Sequence, residues 1–126
     1  MSMKKVLIVD DDDNFRNLLF MAMAEDFDVA FATDGRRALS LIGEEKPDLI
    51  ICDVMMPNMS GLEMMRELSA DEETRDIPVI VMTGSNFDVS TRQLFRQERN
   101  FADFIEKTAP LDFIVGRVQA LANENR

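Results

Sequence analysis

Val6-Leu7-Ile8-Val9-Asp10-Asp11-Asp12-Asp13 is a short β-branched, apolar run that stops on four acids. A run of this length without polar alternation reads as a strand buried on both faces. Leu49-Ile50-Ile51-Cys52 does the same and stops on Asp53. Two buried strands thus deliver carboxylates at their C-terminal ends. Carboxylates a few ångströms apart do not all stay ionised unless a proton or a cation joins them. A hard, oxygen-preferring ion such as Mg²⁺, bound through one or two carboxylates plus phosphate oxygens and water, answers that need.

Working outward, strands and helices alternate along the chain. Lys4–Val9 predicts a first strand, and Asp12 or Asp13 caps the helix that follows. Phe15, Leu18, Leu19 and Ala22 form the expected inward face of that helix. Phe27–Ala32 is a second strand, and Asp34-Gly35 turns into a helix with Ala38, Leu41 and Ile42 inward. After the strand Leu49–Cys52 comes a loop, Pro57 to Gly61, then a helix with Leu62, Met65 and Leu68 inward. Pro78 opens the strand Val79–Met82. A more polar helix is expected from Phe87 to about Asn100, with Leu94 and Phe95 as its anchors. Phe101–Ile105 is the last strand, and Pro110 starts a last helix carrying Leu111, Ile114, Val118 and Ala122 on one face.

Five strands alternating with five helices predict an α/β fold: a single-domain, doubly wound (βα)5 sandwich around a five-stranded parallel sheet. Ligands in such sheets bind outside the carboxyl ends of the strands. Those ends carry Asp10 and Asp11, Asp53, Thr83 and, just beyond the last strand, Lys107. Carboxylates, a hydroxyl and an ammonium around one pocket suit phosphoryl chemistry. A carboxylate can attack phosphorus, a held metal can offset charge, and an ammonium and a hydroxyl can contact phosphoryl oxygens.

Composition narrows the function further. The chain of 126 residues has a net charge of −10, which argues against direct nucleic-acid binding and against docking on anionic membranes. No apolar run approaches the roughly 18–20 residues of a membrane span, so the expected location is the cytoplasm. There is no histidine, which removes His-dependent catalysis and His-ligated zinc. The one cysteine, Cys52, lies in an apolar strand and is expected to be a small core residue.

Four segments together, Val6 to Asp12, Pro47 to Glu63, Pro78 to Gly84 and Asp103 to Lys107, resemble the receiver domain of bacterial two-component response regulators. The resemblance implies the flavodoxin-like strand order 2-1-3-4-5 and treats residues 1–126 as one receiver domain with no output domain in this chain. It implies that Asp53 accepts a phosphoryl group from a phosphohistidine on a sensor histidine kinase or phosphotransfer protein. Asp10 and Asp11, with Asp53 and the backbone carbonyl of Met55, would hold Mg²⁺ or Mn²⁺. Thr83 and Lys107 would contact the phosphoryl oxygens, and Phe104 would be the aromatic that packs inward as Thr83 moves. The surface of the fourth helix, fifth strand and fifth helix would then bind a downstream protein of unknown identity; a homodimer formed on phosphorylation is a further option. Such a domain catalyses its own phosphorylation and loses the phosphate by hydrolysis, but it has no separate substrate.

Three departures and three rivals bear on this. The family usually has proline after the lysine; here Thr108 follows, and a trans Lys107–Thr108 bond is expected. Phe104 stands where tyrosine is common, and Gly84 where alanine is common. Arg92, Arg96 and Arg99 sit at helical spacing and read as a solvated face, or as a docking patch for an acidic partner. An aspartate-nucleophile phosphohydrolase would place a second acid two residues after the nucleophile, where Met55 stands. A flavin binder would want a Ser/Thr/Gly-rich loop where the four aspartates lie. A degenerate receiver, binding partners without phosphorylation, would lack site residues that are all present here.

Overall fold

A computed structural model describes residues 3–54, 58–84 and 89–124. The two runs that stop on acids are strands: β1 spans Lys5–Val9 and β3 spans Leu49–Asp53. With β2 (Asp28–Ala32), β4 (Val79–Thr83) and β5 (Phe101–Glu106) they form one parallel sheet in the order β2-β1-β3-β4-β5. The register sets Val9 beside Cys52, Asp53 beside Met82, and Thr83 beside Glu106. The acid-bearing ends of β1 and β3 are therefore adjacent, and the ends of β4 and β5 continue the same edge.

Helices α1 (Asp13–Met23), α2 (Gly35–Glu44), α3 (Gly61–Ala70), α4 (Val89–Arg96) and α5 (Leu111–Glu124) cover the sheet. Alternate strand residues feed two cores. Ile50, Cys52, Val79 and Val81 pack with Met64, Met65 and Phe95 from α3 and α4. Ile8, Ile51 and Ile80 pack with Leu19, Ile114 and Val118 from α1 and α5. Burial on both faces is why β1, β3 and β4 read as continuous apolar runs.

Two helices differ from the sequence expectation. On α1 the buried line is Leu19 and Met23, one turn apart, while Leu18 is 48% exposed. A residue adjacent to Leu19 is rotated about 100° around the axis, so both cannot face the sheet fully. α4 ends at Arg96 and does not reach Asn100, and its expected start at Phe87 lies outside the described residues. Asn100 is buried instead: its side-chain Nδ2 donates to the Met65 carbonyl at 3.0 Å, and its own carbonyl accepts from the Val79 amide at 2.8 Å. Leu94 is largely exposed, leaving Phe95 as the helix's buried anchor. The Lys107–Thr108 peptide is trans, as expected.

Candidate functional site: an acidic strand-end cluster

Asp10 leaves β1 and is nearly enclosed, at 2% exposure. Its carboxylate accepts from the Asp12 amide at 2.9 Å through Oδ1 and faces the Lys107 ammonium at 2.8 Å through Oδ2. The next two acids do structural work. Asp12 caps α1, accepting from the amides of Asn14 and Phe15, and Asp13 pairs with Arg16. Asp11 is exposed and has no hydrogen bond or ion pair among the described residues. The order of the four acids thus separates a buried member, an open member and two that start the helix.

Asp53 ends β3 and lies 3.3 Å from the same ammonium. One carboxylate oxygen from each of Asp10, Asp11 and Asp53 lies within 4.8 Å of the others. Three hard oxygen donors at that spacing match the donor chemistry of Mg²⁺ or Mn²⁺. Met55, whose carbonyl was expected as a further ligand, lies outside the described residues.

Lys107 follows β5, and its amide donates to the Thr83 carbonyl at 2.9 Å, which ties the ends of β4 and β5 together. Burial alone would pull the pKa of this lysine down. The hydrogen bond and charge of Asp10, and then those of Asp53, outweigh it, so the value is raised above the ordinary 10.5. The group is a fixed cation at any physiological pH. Thr83 itself is fully buried, and its Oγ1 has no hydrogen-bond partner among the described residues. A buried hydroxyl left unpaired is costly, and an incoming oxygen-rich group would relieve it.

The walls are tight around Asp53. A Cβ on Gly61 would lie 2.7 Å from the Asp53 carbonyl oxygen and 3.1 Å from Cys52 Sγ, so any side chain at this start of α3 would force the backbone beside it to shift. Ser60 and Glu63 close a reciprocal capping box on that helix. Upstream, Asn58 adopts a left-handed φ of 69°, and its Nδ2 donates to Asp34 at 3.0 Å. The Cys52 thiol is sealed in the core, donates to the Asp53 carbonyl at 3.1 Å, and is pushed far above its usual pKa, first by burial and then by the neighbouring acids. It stays a protonated core residue.

Phe104 lies apart from the acids, between β5 and α4. Its ring packs against Phe101 at 4.7 Å and edge-on to Phe95 at 5.9 Å. The guanidinium groups of Arg92 and Arg96 lie 5.3 and 5.5 Å from its centroid. Those two arginines, expected on a solvated face, are therefore engaged with an aromatic ring; Arg99 instead pairs with Asp76 at 2.7 Å. Sequence reading also missed Arg16, whose Nη1 donates to the Asp10 carbonyl at 2.7 Å, and Phe15, whose ring lies 5.0 Å from the Lys107 ammonium. The one signal available for Arg16 was its spacing three residues after Asp13.

A parallel sheet with this strand order and an acid cluster facing a lysine across one edge defines a class that comparison with known proteins makes specific. Residues 6–119 match the family model of the response regulator receiver domain. The response regulator MprA of Mycolicibacterium vanbaalenii is 33% identical over 118 residues, covering 93% of this chain and 49% of that protein. The response regulator PleD of Caulobacter vibrioides is 36% identical over 118 residues, covering 93% of this chain and 26% of its own length. The crystal structure of a response regulator from Chloroflexus aurantiacus superposes with a TM-score of 0.87 at 27% identity, covering 97% of this chain and 99% of that one. The chain belongs to the response regulator receiver domain family, the receiving module of two-component signalling. It spans about half or less of the length of the curated relatives named here. Among the described residues, no helix is long and apolar enough to cross a membrane.

Proposed function

We propose that this chain is a phosphorylation-operated switch whose acceptor is Asp53. What carries the reading is the position of that carboxylate, within reach of Asp10, Asp11 and Lys107, with the neighbouring strand ending on a fully buried Thr83 whose hydroxyl has no partner among the described residues. An Asp53 oxygen attacks phosphorus and the P–N bond to the donor imidazole breaks. The nitrogen keeps the electron pair and takes up a proton. Hydrolysis returns the carboxylate and inorganic phosphate. Asp10, Asp11 and Asp53 would hold Mg²⁺ or Mn²⁺, with Met55 contributing its carbonyl, and the ion when bound supplies positive charge against the transferring group. Lys107 pairs with a phosphoryl oxygen, and the Thr83 hydroxyl donates to another. The donor is a phosphohistidine on a sensor histidine kinase or phosphotransfer protein. The reaction is self-catalysed and turns over no separate substrate.

Phosphate biases a conformation only through contacts that differ between two states. Thr83 and Lys107 supply those contacts, and Phe104 with the α4–β5–α5 surface carries the change to a downstream protein in the cytoplasm. The experiment is intact mass after incubation with acetyl phosphate, with and without Mg²⁺, for wild type and Asp53→Asn. A Mg²⁺-dependent gain of one phosphoryl group in wild type alone is expected. Equal uptake by Asp53→Asn would move the acceptor elsewhere, and no uptake from either acetyl phosphate or a phosphorylated kinase would leave a binding module that works without phosphate.

A further inference from the structure

Lysine is a point charge on a flexible stem, with nothing in its own shape to fix its direction. At Lys107 two carboxylates attract the ammonium, Asp10 at 2.8 Å and Asp53 at 3.3 Å. A third carboxylate, Asp11, is close to both and open to solvent. The remaining acids of the turn are occupied, Asp12 by the cap and Asp13 by Arg16. Asp11 is thus the one acid of the turn to which the ammonium is free to move, and doing so would cover the carboxylate most accessible to an ion.

From this geometry we propose that Phe15 is a positioning residue that holds the Lys107 ammonium on the Asp10–Asp53 side and leaves Asp11 open. The ring centroid lies 5.0 Å from Nζ, inside the roughly 6 Å range of a cation–π contact. The ring is itself anchored. The Phe15 amide donates to the Asp12 cap at 3.3 Å, and the side chain packs half-buried against the α1–α5 core. Lys107 is only partly hydrated, with 24% of its side chain exposed, which strengthens the attraction to the ring face. Two carboxylates and one aromatic face give the ammonium three fixed neighbours.

This rests on reading the acid cluster as a cation site, so the test has two separate readouts. Phe15 is replaced in the full chain by phenylalanines with increasing ring fluorination, which keep the shape and drain the negative face of the ring. In the ion-free protein, the Lys107 ε-protons are expected to resonate upfield in wild type through the ring current and to change stepwise along the series. The Mg²⁺ dissociation constant, from calorimetry, is expected to rise about two- to five-fold by the most fluorinated member, the loss of one part-exposed cation–π contact. In a Lys107→Met background the series should be flat. Wild-type ε-protons without an upfield shift would overturn the contact. An unchanged dissociation constant along the series would overturn the role. Failure of Mg²⁺ to bind wild type would instead sink the cation-site reading, and the proton shifts would still decide whether Phe15 holds Lys107.

Discussion

Gly61, the first residue of α3, touches the backbone of Asp53: the Cβ that any other residue would add there falls 2.7 Å from the Asp53 carbonyl oxygen. The opposing atom is backbone, so relief comes only from a shift of the peptide itself. Gly61→Ala should therefore cost about 1–3 kcal/mol, as overpacking does elsewhere. It should also slow phosphoryl uptake from acetyl phosphate, because the peptide that shifts carries Asp53, the proposed acceptor. Urea denaturation at an unchanged slope, set beside the uptake rate, checks both effects.

Thr83→Val should stabilise the unphosphorylated protein. Valine keeps the shape and removes a buried hydroxyl that has no partner among the described residues. Losing that penalty is worth about 1 kcal/mol. The same change should blunt the response to phosphate, since the hydroxyl is the group that gains from it. A raised urea midpoint together with a smaller phosphorylation-induced change in amide shifts is the expected pair; a lowered midpoint would mean that the hydroxyl is satisfied.

Lys107→Met leaves Asp10 buried without its cation. Breaking such a pair costs about 3–5 kcal/mol when both groups are enclosed. Here the lysine is partly hydrated, so about 1–3 kcal/mol is expected. Wild-type Lys107 binds its proton more tightly folded than unfolded. Its contribution is therefore complete below the ordinary value of 10.5 and fades as pH climbs through the higher folded value. The stability gap between wild type and Lys107→Met should be constant near neutrality and shrink above that point. Urea midpoints across the alkaline range measure it.

Asp34 is held below its usual pKa, first by the Arg37 amide and then by the Asn58 side chain. Asn58→Gly and Asn58→Ala should both raise that pKa part of the way toward 3.8, leaving the amide's share intact. Only the alanine variant should also lose about 1–2 kcal/mol, because φ at this position is 69°. Carboxyl carbon shifts through an acid titration separate the two effects.

The three central strands and the acid-bearing ends were legible because burial on both sheet faces leaves an unmistakable apolar run, and because a run that stops on aspartate marks its own end. The helix faces were less so. Leu18 and Met23 are both apolar, and periodicity alone did not say which belongs to the core and which, like Met21 at 79% exposure, stays outside. Asn100 defeated the reading of α4 because a polar residue can be buried once a carbonyl, here that of Met65, is waiting for it. The partners that hold the site, Phe15 by Lys107 and Arg16 on the Asp10 carbonyl, come together through the fold, and of the two only Arg16 carried a signal, its spacing from Asp13.

The pairing of Lys107 with Asp10 and Asp53 also bears on how the chain assembles. The two acids stand at the ends of β1 and β3, and their counter-ion arrives only after β5, two strands later in the chain. During synthesis the central strands are available well before the charge that makes their acidic ends comfortable to bury. Docking of β5 thus does more than complete the sheet: it brings the charge that neutralises the edge left by β1 and β3, and so ties the closure of the acidic pocket to the seating of that strand.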